Sequence, residues 1–94
     1  MLERDVENRL VRAIKKLGGI AYKFTSPGRR SVPDRLVLMP DGTVTFVEVK
    51  RPGGRLTEGQ KREIDKLRNL GQNVFIVYDY EEVDELVELL GGHL

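Results

Sequence analysis

Three charged side chains, Asp34, Glu48 and Lys50, stand in apolar runs where the interior of a strand is ordinarily hydrophobic. A turn fixes their geometry. In Met39-Pro40-Asp41-Gly42-Thr43, Pro40 sets φ for the second position of a type I turn, and Gly42 takes the left-handed conformation that follows in a three-residue hairpin loop. Met39 then faces Thr43, and counting back pairs Leu38 with Val44, Leu36 with Phe46 and Asp34 with Glu48, their Cβ atoms ~5 Å apart. Lys50 emerges on the same face, about 7 Å further along the strand. Two carboxylates this close repel unless something positive lies between them, and oxygen ligands of this kind suit a divalent cation. The plain alternative makes Asp34 a turn residue after Pro33 and puts Glu48 and Lys50 on a solvated face. Val44 and Phe46 share that face, however, while Thr45, Val47 and Val49 form the other. Neither side reads as solvated, and buried charges are rare unless paired or metal-bound. The hairpin therefore predicts a metal site.

The remaining elements follow from periodicity and capping signals. Leu2, Val6, Leu10, Ala13 and Leu17 recur at helical spacing over residues 2–17, and Gly18-Gly19 ends the run. Glu7 falls at the margin of the apolar arc, where it either leans into the site or serves as an ordinary acid in the first turns, paired with Arg4 or Arg12. Ile20–Phe24 alternates Ile, Tyr and Phe against Ala and Lys, which predicts a half-buried strand. Thr25–Ser31 is a flexible loop by composition; it places Arg29 and Arg30 just before Pro33-Asp34, suited to phosphate contact or to simple solvation.

The hairpin strands cover Leu36–Met39 and Thr43–Lys50, and Arg51–Arg55 forms a turn beyond them. Thr57 and Gln60 then match a capping box opening a helix that runs to Leu70. Gln60 is explained by that cap, yet it also points inward, where its amide could orient Lys50 or a water. A strand over Val74–Tyr78 and a helix opened by Asp79 and Glu82 complete the chain. His93, the single histidine, sits in a terminal tail and is expected to be silent. The order α-β-β-β-α-β-α predicts an α/β fold, a mixed central sheet flanked by helices.

Composition narrows the function class. Ninety-four residues predict one domain, spanning 1–94. Cysteine is absent, which excludes disulfides and zinc–thiolate sites. With neither a signal-peptide pattern nor an apolar run long enough to span a bilayer, the expectation is a soluble, intracellular protein without a membrane partner. The net charge of +1 hides an asymmetry: residues 1–78 carry all sixteen Lys and Arg against nine acids, whereas residues 79–94 carry six acids and no Lys or Arg. Lys23, Arg29, Arg30, Arg35, Arg51 and Arg55 crowd the motif, a field that suits a polyanion such as a nucleic acid backbone. Ordinary surface charge is the competing explanation.

Pro33-Asp34, thirteen intervening residues and Glu48-Val49-Lys50 resemble the PD-(D/E)xK nuclease motif. With Glu7 upstream and Arg55-Leu56-Thr57-Glu58-Gly59-Gln60 downstream, the chain is similar over nearly its whole length to the VRR-NUC (virus-type replication-repair nuclease) branch in its stand-alone form. The resemblance implies a restriction-endonuclease-like core and phosphodiester hydrolysis assisted by Mg²⁺ or Mn²⁺. In it Asp34, Glu48 and the Val49 carbonyl hold the metal, Lys50 acts on the water or the phosphate, Glu7 serves a second metal or a water, and Gln60 lies beside the site. It further implies a homodimer acting on branched DNA, especially four-way (Holliday) junctions, and a cytoplasmic or nucleoid-associated protein, virus-encoded in one form. A less selective or restriction-like endonuclease is the alternative enzyme reading, and a nucleic-acid-binding module without catalysis is the alternative from another class.

Overall fold

The computed structural model describes residues 1–91, so His93 lies outside the described residues. The elements are α1 (Glu3–Lys16), β1 (Ile20–Lys23), β2 (Arg35–Leu38), β3 (Val44–Val49), α2 (Glu58–Asn69), β4 (Asn73–Val77) and α3 (Tyr80–Gly91). This is the expected order. The four strands form one sheet, β1-β2-β3-β4, antiparallel at the first two interfaces and parallel between β3 and β4. The connections dictate that mixture: a tight turn can join only antiparallel neighbours, while the passage from β3 to β4 carries α2 as its crossover.

The β2–β3 register is the one the turn predicts, with Leu38 opposite Val44 and Leu36 opposite Phe46. Gly42 has φ 91° and donates its N–H to the Met39 carbonyl, and the Met39 N–H donates to Thr43. Only glycine adopts that conformation without strain.

The core lies on one face of the sheet. Val6, Leu10 and Ile14 of α1 and Val83 and Leu86 of α3 pack against Val37, Val47, Val49 and Val77. The period of α1 explains the selection, since its three buried residues are spaced four apart. On the opposite face α2 packs over β4, where Ile64 and Val74 are buried.

Strand β1 differs from the expectation drawn from its alternation. Ala21 is the buried residue, whereas Ile20 and Tyr22 are 45% and 53% exposed. The cause is the close approach of α1 to this edge of the sheet: a Cβ at Gly19 would come 2.7 Å from the Leu38 carbonyl oxygen and 3.0 Å from the Ile14 side chain. Of the β1 side chains, the small Ala21 is the one that joins the core beneath α1. The larger ones turn to the other face, where α2 covers β4 and leaves Ile20, Tyr22 and Val44 open.

Candidate active site

The site forms where β2 begins and β3 ends. Pro33 is fully buried and anchors the start of β2, so Asp34 follows from a fixed backbone. One step beyond the last ladder pair, Arg35 with Val47, the register brings Asp34 opposite Glu48. Asp34 Oδ2 accepts the Val49 N–H at 2.8 Å, which clamps the carboxylate onto the end of β3.

Glu48 is 1% exposed, and neither of its carboxylate oxygens has a hydrogen-bond partner among the described residues. Lys50 Nζ stands 3.9 Å from Oε2, with its own side chain only 14% exposed. Burial pushes the Glu48 pKa up to about 8, helped by the neighbouring Asp34 carboxylate, against the opposing pull of Lys50. A smaller repulsion comes from Glu3. That acid sits one helical turn before Glu7, a spacing that could have marked it in the sequence.

The donor set fits a divalent cation. Two acidic groups converge, one with both oxygens buried and unpartnered, and a hard cation accepts such oxygens directly. No group of three Asp, Glu or His side chains gathers among the described residues, so further ligands would be backbone carbonyls and water.

Several expected residues are engaged elsewhere. Glu7 Oε2 accepts from Arg35 Nε at 2.8 Å, with Lys23 Nζ at 3.9 Å. Arg35 also donates to the Ala21 carbonyl at 3.0 Å, and its side chain is 17% exposed. Strand alternation explains this arrangement: Arg35 points to the α1 face, opposite to Asp34, and meets Glu7 there. Arg35 is therefore an internal ion-pair partner and not part of the open basic surface. Lys23, Arg29, Arg30, Arg51 and Arg55 are exposed.

Gln60 completes the reciprocal cap of α2, its Oε1 accepting the Thr57 N–H at 2.9 Å while its own N–H donates to Thr57 Oγ1 at 3.0 Å. The Arg29–Arg30 segment is more ordered than its composition implies. Gly28, at φ 78°, and an Arg29 N–H bond to the Ser26 carbonyl close a tight turn, and the Arg29 guanidinium pairs with Glu63 on α2.

Comparison with known proteins places this geometry. The family model of the VRR-NUC domain matches residues 4–79, a span running from α1 through β4 and containing Asp34, Glu48 and Lys50. A protein of Acyrthosiphon pisum secondary endosymbiont phage 1, named "Putative nuclease p44", is 49% identical over 85 residues, covering 90% of each chain. A solved VRR_NUC domain superposes with a TM-score of 0.87 at 37% identity, over 92% of this chain and 94% of that one. The matched family model, the identity to these relatives and the shared topology agree, and the chain belongs to the VRR-NUC domain family.

Proposed function

We propose that this chain is a metal-dependent nuclease that hydrolyses phosphodiester bonds in DNA, selecting branched structures and resolving four-way junctions as a homodimer. The observation that carries the reading is the buried Glu48 carboxylate, which makes no hydrogen bond among the described residues and stands between Asp34 and Lys50. Burying an acidic group without a hydrogen bond costs stability, so its presence here is better explained by a task other than packing.

Asp34 and Glu48, with the Val49 carbonyl, would hold Mg²⁺ or Mn²⁺. When bound, the cation supplies an acidified water and neutralises charge on the phosphate oxygens. Asp34 is held in place by the Val49 amide, so its free oxygen is oriented before any ligand arrives. Lys50 shares the face of Glu48 and can orient or deprotonate the attacking water, or stabilise the developing phosphate charge. Glu7 would serve a water or a second cation through Oε1, since Oε2 accepts from Arg35. The exposed Lys23, Arg29, Arg30, Arg51 and Arg55 supply a field that draws the backbone toward this end of the sheet.

A four-way junction is cut at two symmetric positions and each chain carries one such site, so paired incision requires two copies. The test is cleavage of matched four-way junction, flap, duplex and single-stranded DNA with Mg²⁺, Mn²⁺ or EDTA, alongside Asp34→Ala and light scattering. Paired, metal-dependent cuts in the junction by a dimer, lost in Asp34→Ala, are expected. A protein that binds all four substrates and cuts none is a binding module.

A further inference from the structure

Between the 25–31 turn and α2 lies a cleft of about 380 Å³ lined by Arg29, Arg30, Ser31, Arg62, Glu63 and Lys66 and by the bare backbone of Gly28 and Gly59. It contains no apolar side chain, unlike a pocket for a drug-like small molecule. Gly59 lets the turn settle closely against α2: a Cβ there would meet Ser31 Oγ at 2.6 Å and turn that hydroxyl away.

The charges are unbalanced. Glu63 is taken by Arg29. Arg30, Arg62 and Lys66 form no ion pair among the described residues, although Arg9, Arg35 and Lys61 all do. Arg62 and Lys66 are also spaced four apart on one helix face, where like charges are mildly destabilising. Cations gathered in a cleft without an internal partner await an anion.

An adjoining cleft supplies direction. It is lined by Lys23, Phe24 and Asp34 and shares Arg29 and Arg30 with the first. The two form a continuous path from the candidate catalytic Asp34, over the turn, to Lys66.

We propose that the α2 cleft binds one backbone phosphate of the DNA other than the scissile one, gripped by Arg30, Arg62 and Lys66. This rests on the DNA-cleaving reading for its ligand. The Arg29–Glu63 pair holds the turn against α2, so the three cations are arranged before DNA arrives. Bound there, the phosphate sets the register of the strand across Asp34 and Glu48.

The test measures equilibrium binding of duplex DNA in EDTA, so that no cleavage is needed. R62Q/K66Q is compared with R12Q/K16Q, a charge-matched change four residues apart on α1, on the other side of the sheet. R62Q/K66Q is expected to bind ~10-fold more weakly and to lower the salt slope by about 0.9, the value for one phosphate contact, while R12Q/K16Q does neither. Neutral methylphosphonates are then stepped along one strand, with the 5′ end phosphorylated or not. A single internal position should weaken binding by the wild type and leave R62Q/K66Q unaffected. Equal losses in both double variants, no position-specific coupling, or coupling confined to the 5′-terminal phosphate would each overturn the proposal. Cleavage without coupling removes the cleft and leaves the nuclease; coupling without cleavage does the reverse.

Discussion

At the scale of single residues, Glu48 carries the centre of the proposed chemistry and also a cost. Its pKa rises from about 4.5 to about 8 on folding, so the folded chain holds a proton that the unfolded chain has released. Below pH 4.5 both states are protonated and burial adds no pH-linked penalty. As pH climbs from there toward 8, stability falls by up to ~1.4 kcal/mol per pH unit. Urea unfolding in EDTA should therefore show a metal-free protein weaker at pH 8 than at pH 5, by a few kcal/mol on the order set by that slope. Glu48→Gln should flatten the profile and abolish metal binding. Lys50→Ala tests the other half of the site: turnover is expected to vanish while Mn²⁺ affinity, followed by calorimetry, stays level or rises, because a competing positive charge has left. Both residues were legible in the sequence, since a turn with Pro40 and Gly42 permits only one register and that register sets them among apolar neighbours.

At the scale of elements, α2 carries two roles that its opening residues separate. Thr57 and Gln60 satisfy each other's backbone amides. Thr57→Ala should lower stability by about 1 kcal/mol in thermal or chemical unfolding. Gln60→Glu keeps the acceptor and adds a charge favoured at a helix N-terminus, so its stability should match or slightly exceed the wild type. Retained cleavage in that variant would make Gln60 a cap alone, and lost cleavage with intact stability would give its amide nitrogen a part in the site. Strand β1 marks where element-level reading failed. Its alternation correctly gave a strand, but the buried side is decided by how closely α1 approaches, a distance set by Gly19 and Ala21 and absent from any hydrophobic pattern. The turn at Ser26–Arg29 was read as flexible because glycine and serine suit mobile loops equally well. The Glu63 that anchors it lies thirty-four residues away from Arg29.

At the scale of the molecule, the element order, the mixed sheet with its flanking helices and the facing acidic pair were all within reach of the sequence, because each depends on local signals or on one hairpin register. Long-range charge pairing was not. Glu7 and Arg35, twenty-eight residues apart, each looked like a site residue, and together they form an internal bridge. Arg62 and Lys66 are exposed on α2, and only the fold brings the 25–31 turn beside them.

The same division between near and distant contacts orders events in time. Asp34 Oδ2 and the Val49 amide are joined across fifteen residues, within a hairpin that closes on the microsecond scale. The parallel pairing of β3 with β4, including the Lys50 N–H to the Val77 carbonyl, waits for the α2 crossover to dock, a slower and less local step. The acidic pair thus meets while the chain is still half assembled and its carboxylates are still wet. Mn²⁺ should then raise the refolding rate and leave the unfolding rate nearly unchanged in stopped-flow chevrons. The ion would help the nascent hairpin persist long enough for β4 to arrive, a scaffold for folding before it is a cofactor.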